Sequence, residues 1–136
     1  NRDKTRVVNM REEGASLDFL GFTFRRDKDL HGGDWRYLNL EPSQKSQTRL
    51  REKIRGVVHS GNKAPIPQVI GDLNRLLTGW ANYFRFGYPR KAFRKVNHYT
   101  RDRLTRHMGR RSQRRARFGE GTSMYAALNR AGLVYL

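Results

Sequence analysis

The sequence has 136 residues, and 29 lysines and arginines against 12 aspartates and glutamates give it a formal net charge of +17. Such an excess of positive charge indicates a polyanionic partner. Because the chain has no cysteine, disulfides, thiolate nucleophiles and cysteine-based zinc sites are excluded. The sequence lacks the run of about 18 apolar residues that a membrane-spanning helix needs. We therefore expect a cytoplasmic protein with one small core and no membrane partner.

The N-terminal 42 residues have the pattern of β-strands. Residues 5–10 and 17–26 are rich in β-branched and aromatic side chains, and each run is predicted to form one strand. Turn-forming residues fill positions 29–34, and an extended pattern resumes at positions 35–40. The sequence therefore predicts a β-hairpin in this region.

From residue 43 onward the apolar period changes from two to about 3.6, which is typical of helices. Ser43 is the predicted N-cap of a first helix that ends before Gly61 and Pro65. A second helix, from Pro65 to Gly87, has one continuous apolar stripe. The third helix has an apolar face from Phe93 to Met108 and a cationic opposite face.

The last part of the chain is predicted to contain a basic segment and a short helix. Residues 110–121 have almost no apolar content and are expected to be flexible. A short helix begins at Thr122 or Ser123, and the apolar residues 133–136 are expected to pack back onto the bundle. The predicted fold class is α+β, with a hairpin region (residues 1–42), a bundle of three long helices (43–109), the basic segment (110–121) and a C-terminal helix and tail (122–136).

The strongest functional signal is the density of cations at residues 89–117, where Asp102 is the one acidic residue. A solvated helix face normally mixes both signs, as Arg51, Glu52 and Lys53 do. Arginine dominates, which suits bidentate phosphate contacts and stacking on bases. The predicted RNA- or DNA-binding residues are Arg75, Arg85, Phe86, Tyr88, Arg90, Lys91, Arg94, Lys95, Arg101, Arg106, Arg110, Arg111, Arg114, Arg115 and Arg117.

Two of these residues are aromatic and lie off the apolar stripe of the second helix. Phe86 and Tyr88 are predicted to stack on bases or pack on sugars, and the alternative is packing against the third helix. Trp80 and Phe84 lie on the stripe and are predicted to belong to the core. The aromatic residues therefore divide into a structural and a ligand-facing group.

No arrangement of residues in the sequence indicates catalysis. His98 and His107 lie nine positions apart with no acidic cluster between them, and the aspartates near the Gly32-Gly33 turn are typical turn-forming residues. A phosphate-binding loop, a nucleophile triad and a two-metal carboxylate cluster are all absent from the pattern. We therefore predict no catalytic residue, no metal site and no cofactor in this chain.

Three stretches together resemble reverse transcriptases encoded by bacterial group II introns. Residues 1–8, followed by Phe19-Leu20-Gly21-Phe22, are similar to the last two conserved blocks of the polymerase palm. Residues 72–85, which end in Gly79-Trp80-Ala81-Asn82-Tyr83-Phe84-Arg85, resemble the maturase-specific thumb region, and so do residues 92–99. The resemblance covers nearly the whole chain.

The resemblance implies that residues 1–42 are the end of a palm and residues 43–109 a thumb. Such a thumb grips intron RNA for splicing and holds the RNA–DNA primer–template duplex during complementary-DNA synthesis. Phe19, Leu20, Gly21 and Phe22 would form a primer-grip-like hairpin, in which the glycine lets backbone approach the primer strand. Lys4 matches the palm lysine that is a suspected proton donor to pyrophosphate.

The resemblance also implies what the chain lacks. The Tyr-x-Asp-Asp turn and its partner aspartate, which hold the catalytic metals of such enzymes, do not occur in the sequence. Magnesium is therefore expected in a palm and fingers portion that is upstream or separately encoded. We expect the chain to be a fragment, a split subunit or a freestanding relative of a bacterial enzyme.

Two other classes of protein fit the same composition. One is a DNA-binding or recombination accessory protein, and the other is a ribosome-associated or otherwise structural RNA-binding protein. Ligand choice distinguishes them, because a thumb module should prefer folded intron RNA or an RNA–DNA hybrid, which is recognised by A-form shape and 2′-hydroxyl groups.

Overall fold

The computed structural model describes residues 6–29, 31–111, 119 and 121–136. Strands β1 (Ser16–Phe19), β2 (Phe22–Lys28) and β3 (Arg36–Pro42) form an antiparallel sheet in the order β1-β2-β3. The helices that follow are α1 (Gln44–Val57), α2 (Ile66–Phe84), α3 (Arg90–Arg111) and α4 (Met124–Arg130). The α+β class predicted from the sequence is confirmed.

The predicted strand over residues 17–26 is wrong, because the structure divides it into β1 and β2. Leu20 and Gly21 have φ angles of 50° and 84°, and the flanking residues Phe19 and Phe22 are paired in the sheet. Positive φ at both central residues is the requirement of the tight hairpin turn that matches strand twist. A leucine rarely adopts positive φ, so the alternating pattern hid the turn.

The predicted strand over residues 5–10 is also wrong where the structure describes it. Residues 6–9 have no regular structure, Val7 is 94% exposed, and Thr5 lies outside the described residues. Within the described residues β1 is therefore an edge strand, and all four of its residues are exposed. Apolar side chains on β1 do not lie in a covered layer.

The turn between β1 and β2 is fixed to the helices by hydrogen bonds. The Tyr83 hydroxyl donates to the carbonyl of Leu20 at 2.9 Å. The Ser46 hydroxyl and the Ser43 amide both donate to the carbonyl of Gly21, each at 2.8 Å. A strained backbone conformation persists when its surroundings determine it in this way.

Helix α1 begins as the sequence predicts, with the Ser43 side chain accepting a hydrogen bond from the Ser46 amide at 3.1 Å. Its C-terminal end is covered by α3, because Arg103 donates to the Val58 carbonyl at 2.8 Å. Arg111 donates to the carbonyls of Lys63 and Ala64 in the loop after α1. These contacts satisfy carbonyl groups that a helix end and its loop otherwise leave without a partner.

Helix α3 extends through Arg111, two residues beyond the predicted end of the bundle at residue 109. Arg110 and Arg111 are therefore helical rather than part of a flexible segment. Most of the predicted basic segment, residues 112–118 and 120, lies outside the described residues.

The core lies between the helices, and its fully buried members come from all four of them. They include Leu50, Ile54, Leu73, Leu77, Val96, Leu104 and Leu128. Burying an aliphatic side chain of this size contributes about 1.5–3 kcal/mol. This core holds the cationic helix faces in fixed relative positions.

Two asparagines hold the C-terminal tail against α2 and α3. The Asn74 side chain donates to the Gly132 carbonyl at 2.7 Å and accepts from the Val134 amide at 2.8 Å. Asn97 makes the same pair of bonds with Leu136, at 2.9 and 3.0 Å. Each side-chain amide thus pairs with tail backbone as a neighbouring strand does.

His107 is a polar member of the interior, with 4% of its surface exposed. Burial lowers its pKa below the ordinary value of 6.5, and the positive charges of Arg111, His59, Lys63 and Arg110 lower it further. Both causes disfavour the charged imidazolium in the folded chain. His107 is therefore neutral at pH 7.

The Leu20–Gly21 turn can be tested with Gly21→Ala. An added Cβ lies 2.9 Å from Ser46 Oγ and 3.2 Å from Phe84 Cζ, and the backbone φ of 84° disfavours any L side chain. We expect the free energy of unfolding in urea to fall by about 1–3 kcal/mol. Gly14→Ala is the matched control, since Gly14 has a φ of 75° and nothing within 4 Å. Equal losses for the two variants would contradict the packing constraint at Gly21.

The buried His107 predicts a pH dependence of stability. Its folded-state pKa is lowered, so the unfolded chain binds a proton at higher pH than the folded chain does. The contribution of neutral His107 to the free energy of unfolding should be fully present above pH 6.5. It should be lost as the pH drops from 6.5 through the lower folded-state pKa. In chemical denaturation at pH 7.5 and 5.5, His107→Gln should reduce this loss, whereas the exposed His98→Gln should leave it unchanged. An unaltered loss in His107→Gln would show that another group is responsible.

Candidate nucleic-acid interface

A groove with a volume of about 700 Å³ opens where the Leu20–Gly21 turn meets α1 and α2. We call it the turn groove. It is lined by Leu20, Gly21, Ser46, Arg49, Leu50, Lys53, Arg75, Leu76, Gly79, Trp80, Tyr83 and Phe84. Three of these side chains are cationic and none is acidic, so the groove favours an anionic ligand.

The cations of the turn groove come from two helices that the core fixes side by side. Arg49 and Lys53 lie four residues apart on α1 and therefore on one face of it. Arg75 comes from α2, where its side chain is 82% exposed and pairs with Asp72. Such an exposed ion pair contributes little to stability, so Arg75 can exchange this carboxylate for a phosphate at small cost.

Aromatic side chains form part of the groove wall. Trp80 is half-buried and packs against Phe84 and Phe93, with ring centroids 4.8 and 5.7 Å away. Phe84 is buried, whereas Tyr83 is 51% exposed. The wall therefore combines core side chains, as the sequence predicts for Trp80 and Phe84, with an accessible tyrosine ring.

The predicted site residues occupy several surfaces. Arg75, Leu20 and Gly21 line the turn groove, and Phe22 packs behind it against Tyr83 and Phe84. Phe19 is 58% exposed at the end of the edge strand. The structure thus brings the primer-grip-like turn and one predicted cation together, and it adds two cations that the sequence did not single out.

The start of α3 carries a second group of exposed cations, which we call the α3 patch. It consists of Arg90, Lys91, Arg94 and Lys95. Lys91 and Lys95 also line a cavity of about 290 Å³ with Arg25 and Glu41 of the sheet. This side of the sheet is polar, and it places sheet side chains next to the cationic start of α3.

An ion-pair network organises the polar side of the sheet. Arg25 contacts the carboxylates of Asp27 and Glu41, each at 2.9 Å, and the Asn39 amide donates to Asp27. Burial alone would raise the pKa of Asp27, but the hydrogen bonds from Asn39 and Arg25 and the charges of Arg25 and Lys91 lower it below its usual value. Asp27 therefore remains charged and partly balances the α3 patch.

Several predicted binding residues contact other parts of the chain. The Arg101 guanidinium lies 4.9 Å above the Tyr125 ring, and Arg106 pairs with Asp102 at 3.1 Å. Arg111 donates to the loop carbonyls described above. Arg110 is exposed and lines a small pocket with His107. Arg114, Arg115 and Arg117 lie outside the described residues.

The turn between α2 and α3 presents the two predicted stacking residues. Phe86 and Tyr88 are 57% and 59% exposed, and the Arg85 guanidinium lies 5.5 Å above the Phe86 ring. Tyr88 meets Tyr37 edge-on, with 5.1 Å between ring centroids. Both rings therefore remain accessible to solvent.

Sequence reasoning missed Arg49 and Lys53, although a signal was present. Lys45, Arg49 and Lys53 are spaced by four residues, which places them on one exposed helix face. Glu52 and Arg55 made the charges look mixed along the chain. Sorting the charges by helix face instead of by sequence order would have found them.

Neither a metal site nor a membrane span is found in the described residues. They contain no group of three or more histidine, aspartate or glutamate side chains that could hold a metal ion. Among the helices described, none is long and apolar enough to cross a membrane.

Comparison with known proteins identifies a family for the helical part of the chain. The family model described as the group II intron, maturase-specific domain matches residues 47–125, which is more than half of the chain. The match includes α1 from Gln47 onward and all of α2 and α3, whereas the sheet and Ser46 lie before it. No curated protein matches the chain. The chain therefore belongs to the group II intron maturase-specific domain family.

Proposed function

We propose that the chain binds folded group II intron RNA through the turn groove and the α3 patch, and that this binding assists splicing of the intron. The family gives the chain a role related to group II intron maturation. The observation that carries the proposal is the turn groove, where Arg49, Lys53 and Arg75 surround exposed ring surface and none of the lining residues is acidic. Cations in this arrangement neutralise phosphates and release counterions.

The two walls of the turn groove suit different parts of an RNA strand. The cationic wall, from Arg49, Lys53 and Arg75, is suited to the phosphate backbone. Tyr83 and Leu20, which are 51% and 67% exposed, offer apolar surface to sugars or bases. The groove therefore has the charge and the surface to follow one strand of a folded RNA.

A finer proposal concerns the polymerase. In a complete enzyme the same groove would hold the primer–template duplex, and the Leu20–Gly21 turn would serve as the primer grip. The close approach of Gly21 to Ser46 and Phe84 supports this assignment, since a turn held so rigidly can position a strand accurately. Magnesium would be bound by the palm portion and not by this chain.

The sheet offers a surface for that palm portion. Among the strands that the structure describes, β1 is an exposed edge strand, and an unpaired edge is a template for the addition of another strand. Leu17 and Phe19, 37% and 58% exposed, place apolar surface on this edge strand. We propose that a palm and fingers portion, upstream or separately encoded, covers this edge in the bacterial cytoplasm.

The turn groove is tested by the triple variant Arg49→Ala, Lys53→Ala, Arg75→Ala. Each phosphate contact that is lost should lower the slope of log affinity against log salt by about 0.7–0.9. Binding to intron RNA should therefore weaken, and its salt dependence should fall by about 2–3 in slope. The matched control removes three exposed arginines outside the groove, Arg11, Arg55 and Arg130. If both triple variants weakened RNA binding equally, the groove would contribute no more than any other part of the charged surface.

The ligand is tested by competition. The purified chain should prefer a folded group II intron RNA over a scrambled RNA of equal length and over a DNA duplex. The preference should persist when the salt concentration is raised. Shape complementarity and hydrogen bonds to 2′-hydroxyl groups are less sensitive to salt than phosphate contacts are. Equal and salt-sensitive binding to all three ligands would instead identify a nonspecific polyanion binder.

A further inference from the structure

A second open pocket, of about 360 Å³, lies between the β2–β3 connection and the α2–α3 turn. It is lined by Asp29, His31, Trp35, Arg36, Tyr37 and Tyr88. Trp35 is 84% exposed, which is unusual for the largest apolar side chain. We call it the aromatic pocket, and none of its residues lines the turn groove.

The walls of the aromatic pocket are fixed by backbone contacts. The Asp29 amide donates to the Trp35 carbonyl at 3.0 Å and closes the base of the hairpin connection. On the other side, the Tyr88 amide donates to the Leu40 carbonyl at 2.9 Å. Gly87, with a φ of 74°, permits this approach, because a Cβ at that position would collide with the Leu40 carbonyl. Tyr88 is thereby held against Tyr37.

The chemistry of the pocket selects the ligand class. Aromatic walls with one carboxylate, Asp29, would by themselves suit a cation. Arg36 lines the same pocket, however, and the chain carries a net charge of +17, so a cationic ligand is disfavoured. A planar ring that carries a phosphate suits both the aromatic walls and Arg36. The ring can stack on the aromatic side chains while Arg36 faces the phosphate.

We propose that the aromatic pocket takes one unpaired nucleobase of the bound RNA, stacked on Trp35 beside Tyr88. This inference rests on the proposed function, since it assumes that RNA is the ligand. It adds a second contact, which reads single-stranded rather than paired RNA.

The test compares two RNAs that differ only in unpaired bases. One is a fully paired blunt duplex, and the other is the same duplex with a short single-stranded overhang. In fluorescence anisotropy titrations, Trp35→Ala should weaken binding to the overhang RNA about 5- to 100-fold and change binding to the blunt duplex less than about twofold. Trp35→Phe, which keeps an aromatic ring, should restore most of the affinity. Leu38→Ala, an exposed apolar residue of β3 outside the pocket, should bind like the unaltered chain.

The outcomes separate the pocket from the proposed function. Unchanged binding of Trp35→Ala to the overhang RNA, or equal weakening for both RNAs, would overturn the pocket assignment and leave the turn groove intact. Failure of the unaltered chain to bind the overhang RNA would overturn the pocket assignment alone, whereas failure to bind folded group II intron RNA would overturn the proposed function, and the pocket assignment with it. Trp35 is 84% exposed, so its replacement should not unfold the chain, which circular dichroism can verify.

Discussion

The hydrogen bonds that converge on the Leu20–Gly21 turn determine how the sheet and the helices meet. A leucine with positive φ is a strained residue, and here Tyr83 from α2 and two serines at the start of α1 hold the turn in that conformation. The same contacts make the turn one wall of the turn groove. Without them, the turn would no longer be fixed to α1 and α2, and the groove would lose a side.

The cationic side chains have two roles: some stabilise the fold, and others are available to bind a ligand. Arg103 and Arg111 satisfy carbonyls at the end of α1 and in the loop behind it, and Arg25 organises the polar side of the sheet. Of the exposed cations, three line the turn groove and four form the α3 patch. A net charge of +17 therefore overstates the charge that is available to a ligand, and the position of each cation on its helix decides its role.

The sequence predicted the helices well because their apolar stripes and the Ser43 cap are local signals that the core reinforces. The prediction failed at the β1–β2 turn because the Leu-Gly pair continues an alternating pattern. The hydrogen bonds that stabilise this turn come from residues that are distant in the sequence. The prediction also missed Arg49 and Lys53, because their importance comes from Arg75 and the turn across the groove. The aromatic pocket was equally invisible, since Trp35 and Tyr88 lie 53 positions apart and line one pocket because Tyr88 packs on Tyr37 and Gly87 approaches Leu40.

The most direct measurement of the central claim is lysine acylation, read by mass spectrometry, of the chain alone and bound to folded group II intron RNA. Lys53 lines the turn groove, whereas Lys63 is exposed in the loop behind α1. If the turn groove holds RNA, Lys53 should be protected strongly in the complex, and Lys63 should react as it does in the free chain. Equal reactivity of Lys53 with and without bound RNA would contradict the assignment of the turn groove as the RNA-binding surface.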